Sequence, residues 1–256
     1  MKSFFKNVLS TIVGMVLAVF VIVLLFIGIV SISISSLNST EEVTVKENSI
    51  LKINLAELSV VERTSENPFD RLNLSGNIPK TIALKQVLDN IEKAKLDDKI
   101  KAIYINTSYV SAGISQIEEI RNKLLEFKQT GKPIIAYSEV YNQAAYYLSS
   151  VANKVYLNPE GIVEIKGLSA SIMFYKGLLD KLDIDVQIIR HGKFKGAVEP
   201  FILNKMSVAN REQMQLLLNS FADNIMDSIA NQRGLTLSEV QQHANTLILE
   251  NAKSCV

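Results

Sequence analysis

The chain has 256 residues, 48% of them apolar and 21% charged, with a formal net charge of +1 at neutral pH. It is long enough to bury one or two cores, and its near-balance of charge offers neither a basic field for nucleic acid nor an acidic tail. Cys255 is the only cysteine, which excludes an internal disulfide, a cysteine metal cluster and a redox pair.

The first element is apolar. No charged side chain occurs between Val8 and Ser36, and the run from Val8 to Ile34 exceeds the roughly 20 apolar residues that cross a hydrocarbon core. The spacing predicts a transmembrane helix, with residues 1–36 forming a cytoplasmic N-terminus and anchor. A cleaved signal peptide has a shorter apolar region, roughly 7 to 15 residues, although the Ser-Ile-Ser repeats near Ser31 leave cleavage open. Lys2 and Lys6 precede the helix while Glu41 and Glu42 follow it. The lysine bias keeps the N-terminus in the cytoplasm and carries the rest of the chain across the membrane. Residues 37–48 read as a linker and residues 49–256 as one module.

Beyond the linker, strands and helices alternate. Ile50 to Leu55 alternates apolar and polar residues and predicts a strand. Glu62 to Pro79, rich in Pro, Gly, Asn and Ser, reads as a loop or flap. Ala83 to Lys95 spaces Leu84, Val87, Leu88 and Ile91 as a helix does; Ile100 to Ile105 reads as a strand. Ile114 to Thr130 predicts a helix with Ile117, Ile120, Leu124 and Phe127 on one face, stopped by Gly131. Pro133 to Tyr137 is the next strand, followed by a short helix from near Gln143 and a strand at Lys154 to Leu157. Strands separated by helices imply a largely parallel α/β sheet with helices on its faces.

Ser207 is placed to cap a helix whose stripe, Leu217, Leu218, Phe221, Ile225 and Ile229, reads as core packing, with a subunit contact as the alternative. That helix ends at Arg233-Gly234, and Thr236 with Glu239 forms a capping box for a last helix. Nothing there suggests a cofactor, and neither a cofactor nor a metal is expected. Asn38, Asn73 and Asn106 each begin an Asn-x-Ser/Thr triplet, a short motif that matters only in a glycosylating secretory pathway.

The segment richest in chemistry is His-Gly-Lys-Phe-Lys-Gly-Ala-Val-Glu-Pro-Phe, His191 to Phe201. Tyr146 to Ser207 also contains Gly161, the Gly167 turn, Phe174-Tyr175-Lys176 and Leu178-Leu179-Asp180-Lys181-Leu182. On these ordered matches the chain, from about Ile50 onward, resembles the signal peptide peptidase A (protease IV) family, and in particular the N-terminal portion of its long two-module members. The resemblance implies a Clp protease/crotonase-like spiral of strand-strand-helix (ββα) units and a serine/lysine dyad in place of a triad. It also implies assembly into rings or domes, here as a homo-oligomer, and an inner-membrane location with the module on the periplasmic or extracytoplasmic side.

Lys195 falls on the family's general-base lysine; Lys193 is its rival. In water an amine of pKa about 10.4 is almost wholly protonated at neutral pH, and desolvation can lower that by about 3 to 5 units. Phe194, Ile188, Ile189, Val198 and Phe201 suggest an apolar pocket for Lys195, and Pro200 is expected to hold Glu199 extended.

The nucleophile is the missing part. The family's Ala-Ser-Gly-Gly-Tyr turn corresponds here to Tyr-Asn-Gln-Ala-Ala-Tyr, so Gln143 falls at the serine position and Ala144 and Ala145 at the glycines. A glutamine amide cannot be an acyl acceptor that turns over, and alanine gives up the backbone freedom of glycine. His191 invites a serine/histidine pairing, but no Gly-x-Ser-x-Gly elbow is present. His191 and His243 read as structural or exposed residues, Ser149 and Ser150 as helix packing, and Tyr146 and Tyr147 as core or a groove wall.

The reading is therefore a membrane-anchored serine endopeptidase that degrades cleaved signal peptides, with this chain supplying the base and being inactive alone. A second, serine-bearing module or subunit is expected to supply the nucleophile; the chain stops at Val256 before any such module. Peptides, membrane lipid and the serine-bearing part are the expected partners. A non-catalytic peptide-binding or assembly module is the alternative. A crotonase-like acyl-CoA enzyme would need an oxyanion hole and acid/base carboxylates facing a nucleotide pocket, and an outward-facing chain meets no CoA.

Overall fold

The computed structural model describes residues 2–37, 44–64, 80–189, 191–192, 195–246 and 252–255. Most of the predicted flap at 62–79 and half of the linker at 37–48 lie outside these residues, as do Asn38, Asn73, Lys193 and Phe194. The chain divides into two units, residues 1–45 and 46–256.

Among its described residues the first unit has one helix, α1 (Lys2–Leu37), longer at both ends than the apolar run predicted. Its stretch from Ser3 to Ile29, 27 residues with none of the apolar window buried, is long and apolar enough to cross a membrane. At 1.5 Å per residue this stretch measures about 40 Å, against about 30 Å of hydrocarbon.

The second unit is built on a four-stranded sheet, β1 (Ser49–Ile53), β4 (Ile100–Ile105), β5 (Ile134–Tyr141) and β6 (Lys154–Val163), in that order. Every pairing in it is parallel. Parallel neighbours need crossovers, and helices α2 (Leu84–Leu96), α3 (Ile114–Lys128) and α4 (Gln143–Ser149) lie between successive strands. This is the predicted α/β architecture. Ile103, Ile105, Ile134 and Ala136 from the sheet and Ile91, Ile120, Leu124, Phe127 and Leu148 from the helices are essentially inaccessible to solvent. Each large aliphatic among them contributes about 1.5–3 kcal/mol by leaving water.

Three elements differ from expectation. A second, two-stranded parallel sheet pairs β2 (Ser59–Val61) with β3 (Thr81–Ala83), and β3 occupies the residues just before α2. Strand β5 runs four residues past Tyr137, and β6 continues through Asn158-Pro159-Glu160-Gly161 to Val163. Pro159 is tolerated because β6 is at the sheet edge. The ladder passes from Ser138↔Leu157 to Val140↔Ile162, so residues 158–161 bulge opposite Glu139. A Cβ on Gly161 would stand 2.2 Å from the Glu139 carbonyl oxygen, which explains the glycine.

The C-terminal part contains α5 (Lys176–Lys181), a 3₁₀ turn (Gly196–Val198), α6 (Glu199–Ile202), α7 (Val208–Arg233), α8 (Leu237–Thr246) and a last 3₁₀ turn (Ala252–Cys255). Both predicted caps form. Ser207 Oγ accepts from Asn210 N–H, and Thr236 and Glu239 exchange the two bonds of a capping box. The α7 stripe divides: Ile225 and Ile229 are buried, whereas Leu217 and Phe221 are 49% and 42% exposed. Among the described residues the buried positions of α7 lie in its C-terminal half, where Ser228 O accepts from Arg121 and Asp223 accepts from Gln241 of α8.

Candidate active-site segments

Lys195 opens the 3₁₀ turn with φ −90° and ψ 63°, and its side chain is exposed. Of the residues expected to form an apolar pocket around it, Ile188 and Val198 are half-buried, while Ile189 and Phe201 are exposed and Phe194 lies outside the described residues. Ile189 is fully exposed, Phe201 is 44% exposed and stacks on Tyr175 at 5.8 Å, and His191 is exposed.

Glu199 is helical, with φ −56° and ψ −37°, not extended. Pro200 sits in the first turn of α6, where its missing N–H costs nothing. The compensating interaction is side-chain bonding: Glu199 is 2% exposed, and its carboxylate accepts from Ser207 N–H at 3.0 Å, Ser207 Oγ at 2.5 Å and Asn210 Nδ2 at 3.0 Å. These donors belong to the N-cap and first turn of α7, where a carboxylate also meets the positive end of the helix dipole. The lysine segment is thereby tied to α7.

The second segment is the start of α4. Asn142 Oδ1 accepts from Ala145 N–H at 2.8 Å and caps the helix. Gln143 Oε1 accepts the Lys166 backbone N–H at 2.8 Å. Gln143 and Ala144 border a cavity of about 410 Å³ whose apolar wall includes Ala112, Ile114, Ile117 and Tyr147. Lys195 does not line that cavity.

At its other end α4 is gripped by three cations. Arg121, 3% exposed, donates to the Tyr147 carbonyl and, at 2.7 Å, to Ser150 Oγ; it also reaches Ser228 O of α7 at 3.3 Å. Its guanidinium lies 4.1 Å over the Tyr147 ring, and burial pushes its pKa down. Lys128 donates to Val151 O at 3.0 Å and Arg233 to Ala152 O at 3.3 Å, satisfying carbonyls just past the helix end. Burial lowers the Lys128 pKa, with Arg233 adding to the effect. Tyr147, Ser149 and Ser150 are buried, as expected of packing residues.

The sequence reading missed Arg121, Asn210 and Lys166. Arg121 had a signal, because it lies on the stripe of Ile117, Ile120 and Leu124, where a charge has to find buried partners. Lys166 contributes only its backbone, which no side-chain pattern reveals.

A profile of peptidase family S49 matches residues 126–255, which include α4, Lys195 and the α7 cap. The chain belongs to peptidase family S49. Protease 4 of Haemophilus influenzae is 35% identical over 175 residues, 68% of this chain and 28% of that protein. Protease 4 of Salmonella typhi is 34% identical over 167 residues, 65% of this chain and 27% of that protein. The chloroplastic serine protease SPPA of Arabidopsis thaliana is 29% identical over 172 residues, 67% of this chain and 25% of that protein. This S49 chain thus matches roughly a quarter of each of these relatives. Among solved structures, an enoyl-CoA hydratase/isomerase family protein from Silicibacter pomeroyi aligns with 64% of the chain and 86% of its own, at 13% identity and a TM-score of 0.24. One from Acinetobacter baumannii aligns with 62% and 85%, at 12% identity and 0.27.

Proposed function

We propose that this chain is the lysine-bearing part of a membrane-anchored serine/lysine endopeptidase that degrades signal peptides left in the bilayer. Lys195 is the general base, taking the proton of a serine hydroxyl as the serine attacks the scissile carbonyl and returning it to the leaving amine. The serine comes from a second module or a separate subunit. The observation that carries this reading is the state of α4: the residue at the family's serine position is Gln143, and its amide oxygen is already bonded to the Lys166 N–H. The exposure of Lys195 fits a base whose desolvation comes from the serine-bearing part and the peptide. The apolar helix and the lysines before it support a single-pass anchor, cytoplasmic N-terminus and extracytoplasmic module in the inner membrane, and a homo-oligomer suits the exposed half of α7. The test is peptide cleavage by the reconstituted assembly of this chain with its serine-bearing part. Lys195→Ala is expected to abolish turnover while Lys193→Ala retains it; unchanged cleavage by Lys195→Ala overturns the proposal.

The same observation favours one alternative, a module that binds peptides or assembles the enzyme without chemistry. An assembly in which the Lys195 variant binds peptide and cuts it normally would select that reading.

A further inference from the structure

Between Lys195 and the helix that follows lies a linked set of contacts that the proposed chemistry does not itself use. Glu199 is a nearly inaccessible carboxylate, and taking such a charge out of water is costly unless donors converge on it. Ser207 N–H, Ser207 Oγ and Asn210 Nδ2 do so. The bond from Asn210 Nδ2 to Glu199 Oε2 fixes the orientation of the Asn210 amide. That amide lies against Gly196, where a Cβ would stand 2.6 Å from Asn210 Cγ and Oδ1 and 2.8 Å from Nδ2. Such distances are well inside van der Waals contact, and the amide cannot easily swing away while the carboxylate holds it. Gly196 directly follows Lys195, and the turn it begins is closed by the Glu199 N–H bonding to the Gly196 carbonyl.

We infer that Glu199, acting through Asn210 and the bare Cα of Gly196, is the positioning residue for Lys195. The carboxylate sets the amide, the amide sets the backbone at Gly196, and the backbone sets where the lysine side chain departs. Glutamate is needed on geometric grounds. Aspartate is one methylene shorter, and glutamine would turn an NH₂ group toward donors. The inference rests on Lys195 as base for its importance, and its test separates the two.

The experiment uses the full chain in detergent micelles, with lysines reductively ¹³C-dimethylated and the Lys195 signal assigned by its loss in Lys195→Arg. Glu199→Gln and Gly196→Ala are each expected to move the Lys195 signal and, in separate unmethylated samples, to change the rate at which Lys195 is acylated by a limiting amine-directed reagent, while circular dichroism and the signals of Lys85 and Lys101 stay in place. The Gly196→Ala/Asn210→Ala double variant is expected to be no worse than Asn210→Ala alone, because the collision is gone; a purely structural cap predicts additive effects. In the reconstituted peptidase the single variants lose roughly tenfold to a hundredfold in kcat/KM, as a misplaced catalytic group does. If Glu199→Gln does not fold, the Gly196/Asn210 pair decides alone. An unmoved Lys195 signal in folded Gly196→Ala, or additivity in the double variant, overturns the inference. A moved signal together with full cleavage by Lys195→Ala sinks the base assignment and leaves the positioning intact.

Discussion

Gln143 Oε1 and the Lys166 backbone N–H are bonded at 2.8 Å in the place of a rung of the β5–β6 ladder. The preceding rung is main chain to main chain, Glu164 N–H to Tyr141 O at 2.8 Å. Two residues further along each strand the chain has turned into α4, and a side-chain oxygen takes the role of the carbonyl. Gln143→Ala is therefore expected to speed hydrogen exchange at the Lys166 amide while costing about 0.5–1.5 kcal/mol of global stability. Exchange at Lys166 unchanged from the parent would refute this role. Gln143→Ser, whose shorter side chain does not span the gap, is expected to behave like the alanine variant and to confer no cleavage on this chain.

Arg121 ties α3 to the end of α4 and to α7. Arg121→Ala leaves buried carbonyls without their donor and is expected to destabilise by about 3 kcal/mol or more. Urea denaturation would show this as a lower midpoint, and a shift no larger than that of an exposed lysine-to-alanine change would count against the clamp.

Gly161 and Gly131 separate two reasons for glycine. At Gly161 an added methyl meets the Glu139 carbonyl, so Gly161→Ala is expected to cost about 1–3 kcal/mol or more through forced backbone shift. At Gly131 nothing is near, but φ is +81°, and Gly131→Ala is expected to cost about 1 kcal/mol. Thermal melts of the two variants should rank in that order.

Between α2 and α3, Glu92 lies 2.8 Å from both Lys95 and Lys123, and Glu126 lies 2.9 Å from Lys123. Bonding to Lys123, then Lys95, holds the Glu92 pKa below the ordinary carboxylate value of 4.5, and Lys123 does the same for Glu126. The Thr236 N–H lowers Glu239 likewise. A depressed folded pKa gives stability that is present above the ordinary value and lost as pH falls through the folded one. Lys95 and Lys123 are raised by the same partners, so their contribution is present below the ordinary lysine value of 10.5 and lost at still more alkaline pH. The expected profile is a plateau from about pH 5 to pH 10 with a shallow fall on each side, flattened by salt because the groups are solvated. A Glu92→Gln variant that keeps the acid-side slope unchanged in low salt would exclude this network as a contributor.

Elements with strong local periodicity were legible in the sequence: α2, α3, β4 and the two capped helices show it in runs of Leu and Ile or in Ser207, Thr236 and Glu239. What was not legible depends on partners distant in the chain. β2 and β3 are three-residue strands that exist because they pair with each other. The continuation of β6 through Pro159 depends on its edge position, which local sequence does not encode. Around Lys195 the motif singled out a residue but not its surroundings: Glu199 is helical, with Ser207 and Asn210 binding its carboxylate, and two of the residues expected to bury the lysine, Ile189 and Phe201, face solvent. Apolar character alone did not say whether the N-terminal half of α7 would be covered within the chain.

The Gln143 bond would act as a ratchet on change at this position. If this position once carried a nucleophile, reversion by a single codon would not simply restore it. The same change would unpair the Lys166 amide and loosen the segment beside the cavity, so the first step back toward a serine would bring a structural loss before any catalytic gain. A glutamine wired into the sheet in this way has a structural reason to keep its place, independent of any chemistry at that position.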